Sequence, residues 1–431
     1  MDDRKIIVVG LGYIGLPTAV MFANSGFRVI GVEKLANKVG RINKGECPVQ
    51  EKGLTELVAR AVGSGNLRAT TKFEECRDAA AVIICVETPL GEGFKPDYSS
   101  LETVTREIGK NISRGALVII ESTTAPNTID GLIVPLLEKE SGLKAGEEFL
   151  LCYCPERVMP GKIVMEMVKN DRIMGGITPE SAEKAKQLYS SFVKGEIFLT
   201  DHKTAEFVKV MENTFRDVNI ALANELAKIV HSSGGDVYGA IELANKHPRV
   251  QILFPGAGVG GHCIPKDPRL LLWGAKYMDR PSLIKMSREV NDSMPAHCVS
   301  LVEGKLTKNA KIALLGITYK ANQDDVRDSP AQKMNSILKS KGFRVVAFDP
   351  HVSTEVREKL KEIEFAESAD DALKDAEMVV VAVGHDDFRE IDLGIARKNC
   401  ENKCVLLDCA NLFKKEKVLE AGFEYASPGR V

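Results

Sequence analysis

The stretch that most narrows what this chain can become is Lys5–Glu33, which reads KIIVV, then GLGYIG, then LPTAVMFANSGF, then RVIGVE. A β-branched run closes on Gly10-Leu11-Gly12-Tyr13-Ile14-Gly15, and those glycines open a helical segment. In such a loop the first glycine makes the turn, the second lets backbone approach a pyrophosphate, and the third allows close helix–strand packing. Free N–H groups and the positive end of the helix dipole then face the phosphates. Glu33 ends the second strand 23 residues after Gly10. A carboxylate there accepts hydrogen bonds from the adenosine ribose and repels a 2′-phosphate. The spacing predicts a doubly wound α/β domain that takes NAD rather than NADP.

The runs AAVIICV (80–86) and ALVIIES (116–122) continue this domain as buried parallel strands, with 14–24 and 34–44 as crossover helices. The texture then changes. Between Gly195 and Gly234 there is neither glycine nor proline, and the segment predicts one long helix with Asp201 as N-cap. A helix that long is expected to bridge domains or form a dimer seam. Helical sequence is expected to continue to about residue 305. KIALLGI (311–317), FRVVAFD (343–349), EMVVVAVG (377–384) and CVLLDCA (404–410) restore the strand signature, and the strand ending in Asp349 echoes the one ending in Glu33. The expected architecture is two Rossmann-like α/β domains, 1–200 and 306–431, joined by a helical middle domain, 201–305. A chain of 431 residues suits two or three domains.

A net charge of −2 with both signs interspersed argues against a nucleic-acid surface or a membrane-binding basic face. Residues 6–23 are apolar enough to resemble a signal sequence, but acidic residues precede them and glycines and a proline interrupt them, so export is not expected. The ten cysteines lack zinc-site spacing and include no CxxC, so no metal is expected. Several sit in apolar runs, Cys85 and Cys404 among them, where a thiol packs as a small hydrophobe. The pattern fits a reducing, cytoplasmic setting.

The densest feature is Pro255–Pro268, PGAGVGGHCIPKDP, with glycines at 256, 258, 260 and 261 ahead of Cys263. Glycine, proline and charge make a poor core, whereas converging backbone donors and a nearby cation favour a thiolate. The loop therefore suits a nucleophilic cysteine rather than a packed one.

Taken together, GLGYIGLP (10–17), VETP (86–89), ESTTAPNT (121–128), PERVMPGK (155–162), FVKVMENTFRDVNIALANELA (207–227), GVGGHCIPKDP (258–268) and LGITYKANQDDVRDSP (315–330) resemble the UDP-glucose/GDP-mannose dehydrogenase family over essentially the whole chain. PERVMPG, FRDVNIA and HPR (247–249) look most like its branch acting on UDP-linked 2-acetamido sugars, UDP-N-acetyl-D-mannosamine foremost. The resemblance implies a four-electron oxidation of the sugar's C6 alcohol, with two molecules of NAD used in turn and Cys263 carrying a thiohemiacetal and then a thioester. It implies catalytic roles for Cys263, Lys209, Asn213, Asp267, Glu156 and Thr123. On the cofactor side it implies Gly10, Gly12, Tyr13, Ile14, Gly15, Glu33, Thr88 and Arg327. On the substrate side it implies Arg157, Lys209, Asn213, Arg216, Arg249, Gly260 and Lys320, with Arg249 reaching into a neighbouring subunit of a homodimer or homotetramer. Lys209, Asn213 and Arg216 share one helix face by their spacing. Without the resemblance, Glu156 beside Arg157 would read as a surface ion pair worth about 0–1 kcal/mol, and Asp324-Asp325 as a solvated loop. The chain departs from the family pattern at Asn127, where glycine is common, and at Cys152-Tyr153-Cys154, which reads as packing.

Other readings are UDP-glucose or UDP-N-acetylglucosamine as substrate, a two-electron hydroxyacid or polyol dehydrogenase, and a nucleotide-binding protein without catalysis. The count of NADH per substrate separates the four-electron from the two-electron enzyme. Turnover itself separates both from a binder.

Overall fold

In the computed structural model, which describes residues 5–430, the β-branched runs of the first half assemble into one eight-stranded sheet. Its strands are β1 (Lys5–Val9), β2 (Arg28–Val32), β3 (Leu67–Thr70), β4 (Ala81–Ile84), β5 (Leu117–Ile120), β6 (Leu150–Tyr153), β7 (Arg172–Gly176) and β8 (Ile197–Asp201). The order is β3-β2-β1-β4-β5-β6-β7-β8, the dinucleotide-binding arrangement with two strands added at one edge. Neighbours are parallel except β6 and β7, which run antiparallel. The strands read as unbroken apolar runs because both faces are covered. Ile6 and Val8 face one core with Leu16, Ala19 and Phe22 of the helix Gly15–Asn24. Ile7 and Val9 face the other with Leu101, Ile108 and Ile133. Each fully buried Val, Leu, Ile or Phe side chain among these stabilises the fold by about 1.5–3 kcal/mol.

The second sheet comprises β9 (Lys311–Leu315), β10 (Arg344–Phe348), β11 (Glu364–Phe365), β12 (Met378–Val381), β13 (Val405–Asp408) and β14 (Glu424–Ala426). Its order, β11-β10-β9-β12-β13-β14, repeats the first six strands of the other sheet, and all its pairs are parallel. The α/β class with two Rossmann-like sheets is as expected from the sequence.

Between the sheets in sequence runs a single helix, His202–Ser232. The Asp201 carboxylate caps it, accepting from the Thr204 N–H at 2.9 Å and the Thr204 hydroxyl at 2.7 Å. The chain divides into two packed units, one running to Glu212 and including Arg269–Asp279, the other comprising Asn213–Pro268 and Arg280 onward. In the second unit the long helix is fixed by buried polar contacts. Asp217 pairs with Arg288 and accepts from Asn291 at 2.8 Å, and Asn224 donates to Asn291 at 2.8 Å.

Helices Val237–Ala244, Asp267–Gly274 and Leu283–Ser300 follow, but 245–266 holds neither helix nor strand. The expectation of helical sequence up to about 305 is thus corrected, since the glycines and prolines of the cysteine loop break it. Residues 6–23 divide between β1 and the helix Gly15–Asn24, and no helix among the described residues is long and apolar enough to cross a membrane.

Candidate active site

In the first unit, the glycine loop between β1 and its helix has the steric properties the sequence demands. Gly10 sits at φ +87°, and a Cβ there would lie 2.6 Å from the Cys85 carbonyl oxygen. A Cβ on Gly15 would lie 1.8 Å from the Gly10 carbonyl oxygen. At Gly12, by contrast, a Cβ would meet nothing within 4 Å. That open side is the room a pyrophosphate needs, so the loop fits a dinucleotide. Tyr13 is exposed beside it, and Ile14 precedes the first helical turn.

Glu33 is buried at the end of β2. One of its oxygens accepts from the Leu11 N–H at 3.3 Å and the other from the Leu35 N–H at 3.2 Å, while Lys38 lies 3.3 Å away. The carboxylate is therefore fixed against the glycine loop, with lone pairs left for ribose hydroxyls.

Thr88 and Thr123 come together, the Thr88 hydroxyl donating to the Thr123 carbonyl at 2.6 Å. Asn127 stands at φ +69°, the left-handed region where glycine is usual and asparagine is tolerated. This is the physical reason the chain can depart from glycine there. Its side chain donates to the Gly274 carbonyl at 3.1 Å.

The Glu156 carboxylate and the Arg157 guanidinium do not pair with each other. Arg157 bonds Glu212 at 2.7 Å and donates to the Asp171 carbonyl at 3.2 Å. Glu156 is buried, and Arg172 donates to it at 2.9 Å. Arg172 also reaches Glu121 at 3.4 Å. Glu121 further accepts from the Tyr189 and Thr18 hydroxyls at 2.7 and 3.0 Å and from the Cys85 thiol at 3.0 Å. Sequence reasoning missed Arg172, Glu121, Thr18 and Tyr189. The reading of Cys85 as a simple hydrophobe is corrected too: its sulfur is a donor to a carboxylate. Burial, then the Glu121 charge, pushes the Cys85 thiol up. Burial, then the Glu156 charge, raises the Glu121 carboxyl despite Arg172. Cys152 and Cys154 are buried in the core, as expected of packing residues. Lys209 is half-buried on the long helix, with no ion-pair partner among the described residues.

In the second unit, Asn213 donates to Asp267 at 2.6 Å, and both are buried. The Asp267 N–H in turn donates to the Cys263 carbonyl at 2.9 Å, so Cys263, Asp267 and Asn213 form one group. The other Asp267 oxygen is buried without a hydrogen-bond partner, the Lys266 ammonium lying 3.8 Å from it. Cys263 is half-buried just ahead of the helix Asp267–Gly274, where the dipole favours a thiolate.

The cysteine loop packs on the loop after β9. A Cβ on Gly260 would lie 2.7 Å from the Asp328 carbonyl oxygen, and the Gly261 N–H donates to the Arg327 carbonyl at 3.1 Å. Arg327 holds Asp325 in a fork, at 2.9 Å from Nε and 2.6 Å from Nη2. Asp325 is thus an anchored ion-pair partner rather than part of a solvated run. Burial raises its carboxyl, but the Arg327 hydrogen bonds outweigh that and hold it low. Lys320, in the same loop, is half-buried. Arg216 and Arg249 are exposed, with no ion-pair partner among the described residues.

A strand–glycine loop–helix with an acid at the next strand end, and a cysteine set beside a buried Asp–Asn pair, define an NAD-dependent dehydrogenase. Three models of one family match the chain: the NAD binding domain at residues 4–193, the central domain at 203–293 and the UDP binding domain at 313–415. The chain belongs to the UDP-glucose/GDP-mannose dehydrogenase family. It is similar to a UDP-N-acetyl-D-mannosamine dehydrogenase of Pyrococcus horikoshii, 43% identical over 99% of each chain. It is also similar to an NDP-N-acetyl-D-galactosaminuronic acid dehydrogenase of Ralstonia nicotianae, 42% identical over 91% of this chain and 93% of that one. A solved structure of a UDP-D-ManNAc dehydrogenase from Pyrococcus horikoshii superposes with a TM-score of 0.91 at 43% identity, covering 99% of both chains.

Proposed function

We propose that this dehydrogenase oxidises the C6 alcohol of a UDP-linked 2-acetamido sugar, UDP-N-acetyl-D-mannosamine foremost, to the uronic acid through a covalent intermediate on Cys263. The observation that carries this is the Cys263–Asp267–Asn213 group at the helix N-terminus, a setting that favours a thiolate. Names of similar proteins support the substrate class. A galacto-configured substrate is the second reading, favoured by the Ralstonia nicotianae relative.

NAD, when bound, supplies the hydride acceptor for each oxidation. Gly10, Gly12, Gly15 and the helix start would hold its pyrophosphate and Glu33 its ribose, with Tyr13, Ile14, Thr88, Thr123 and Arg327 completing the cofactor side. The Cys263 thiolate adds to the C6 aldehyde, forming a C–S bond and an anionic thiohemiacetal oxygen. Lys209 and the Asn213 amide, the latter held by Asp267, donate to that oxygen. The second oxidation leaves a thioester. Water then attacks the thioester carbon, Glu156 takes the water's proton, and the C–S bond breaks with the electron pair returning to sulfur. Arg157, Arg216, Arg249, Gly260 and Lys320 serve the nucleotide sugar. The division of labour follows 1–200, 201–305 and 306–431. The ten cysteines, all unbridged, suit the cytoplasm.

On the long helix Phe215, Leu222 and Ile229 recur every seven residues and are 62%, 46% and 56% exposed. Such a stripe supports a homodimer through this helix.

The test is a panel of UDP-sugars with NADH counted against sugar consumed. The expected result is two NADH per UDP-N-acetylmannosamine. One NADH per sugar would reduce the enzyme to an ordinary alcohol dehydrogenase.

A further inference from the structure

The antiparallel turn of β7 has a chemical consequence. In a wholly parallel sheet, the first residue of a strand lies at the end remote from the ligand crevice. Because β7 runs against β6, with Cys152 opposite Gly176 and Tyr153 opposite Gly175, its first residue lies at the carboxyl ends of the parallel strands. The same register carried forward sets Arg172 opposite Glu156. The side chains meet there, Arg172 Nη2 donating to Glu156 Oε2 at 2.9 Å. The second Glu156 oxygen accepts from the Arg157 N–H at 2.7 Å. Arg172 itself is fully enclosed, its guanidinium lying over the rings of Tyr189 at 5.1 Å and Phe192 at 5.8 Å.

Its other branch reaches Glu121 at 3.4 Å, directly after β5. Glu121 is bound in turn by Thr18, on the helix that follows the glycine loop, at 3.0 Å. Two buried carboxylates thus share one cation, and a chain of hydrogen bonds runs from the cofactor helix through Glu121 and Arg172 to Glu156. A purely structural ion pair here is an expensive way to fix a strand end, since burying charges costs several kcal/mol per ion before their attraction repays it. What the arrangement achieves is a carboxylate held in one place, both of its oxygens fixed by hydrogen bonds.

We propose that Arg172 is a positioning residue for thioester hydrolysis, holding the Glu156 carboxylate in a fixed orientation, with Glu121 and Thr18 tying it to the cofactor helix. This rests on the reading of Glu156 as the carboxylate of the hydrolytic step.

The experiment uses the full-length enzyme carrying Arg172→Lys, with Glu121→Gln/Arg172→Met as a charge-balanced second variant and Glu156→Gln as the reference. Each is mixed with NAD and UDP-N-acetylmannosamine, recording the first-turnover NADH burst, the steady-state rate, and the mass of the Cys263 adduct. Both Arg172 variants are expected to keep the burst while steady turnover falls at least tenfold and acyl-enzyme accumulates. Burst and steady rate falling in parallel would show a structural role only and overturn the proposal, as would hydrolysis at the wild-type rate in both Arg172 variants. If Glu156→Gln itself hydrolyses at the wild-type rate, the underlying reading of Glu156 fails, and the Arg172 proposal with it. That outcome is separate from an Arg172 failure in which Glu156→Gln stalls as expected.

Discussion

Glycines 12 and 15 lie three positions apart in one loop, yet they answer to different forces. At Gly15 an added methyl meets backbone 1.8 Å away, which neither partner can relieve by rotating a side chain. Gly15→Ala should therefore cost about 3 kcal/mol or more, at or above the usual range for overpacking, and show as a lowered melting temperature. At Gly12 the same methyl meets nothing protein-derived. Gly12→Ala should leave the melting temperature within about 1 °C, because surface changes away from packing are near neutral, while the KM for NAD rises tenfold or more. A Gly12→Ala enzyme with unchanged affinity for NAD would remove the pyrophosphate from this loop. Asn127 belongs to the same scale, its positive φ explaining how a non-glycine residue stands where glycine is common.

Among the elements, the long helix does more than span sequence. Its Glu206 is buried, accepting from the Asn127 and Ile129 N–H groups at 3.0 Å each and from the Thr124 hydroxyl at 3.4 Å. It so holds the segment that follows Thr123. Burial pushes the Glu206 carboxyl up to about 7, the N–H donors pulling only partly against it. Its pKa is higher folded than unfolded, so the folded state holds the extra proton between the two values. Stability from this group is therefore greatest in acid and falls as pH rises toward 7, levelling off above it. The total is of the order of 3 kcal/mol, at about 1.4 kcal/mol per pKa unit. Melting curves of wild type and Glu206→Gln from pH 5 to pH 8 should show the wild type losing ground up to about pH 7 and little beyond it. A constant difference would contradict it. The element scale also shows what the sequence made legible. Long unalternating runs such as KIIVV and EMVVVAVG announced themselves as strands because both their faces are buried. β7 and β8 did not, since RIMGG carries two glycines and IFLTD lies largely exposed at a sheet edge. Missing β7 meant missing its reversal, and with it Arg172. Glu156 looked like half of a surface pair because its neighbour in sequence is a cation, whereas its actual partner comes from a strand that could not be recognised. The Asn213–Asp267 bond was equally out of reach, as it joins residues 54 apart that only the fold brings together.

At the scale of the whole molecule, the six-stranded sheet repeats the order of the first six strands of the eight-stranded one. The long helix offers an apolar stripe that nothing in the chain covers among the described residues. Replacing Phe215 and Leu222 with glutamate should convert a dimer to monomer in sedimentation, with little loss of helix content, because those side chains are already in solvent in the single chain. An unchanged sedimentation coefficient would move the interface elsewhere. What unites the two sheets functionally is the claim that one sulfur atom retains the half-oxidised sugar between oxidations. The most direct measurement is the intact mass, followed by peptide mapping, of enzyme quenched during turnover in the slow-hydrolysing Glu156→Gln background, beside the same protein carrying Cys263→Ser. The account predicts a nucleotide-sugar acyl adduct on the peptide containing Cys263, and no thioester in the serine variant. Two NADH per sugar produced by Cys263→Ser at the parent rate, with no adduct on the parent's Cys263, would contradict it.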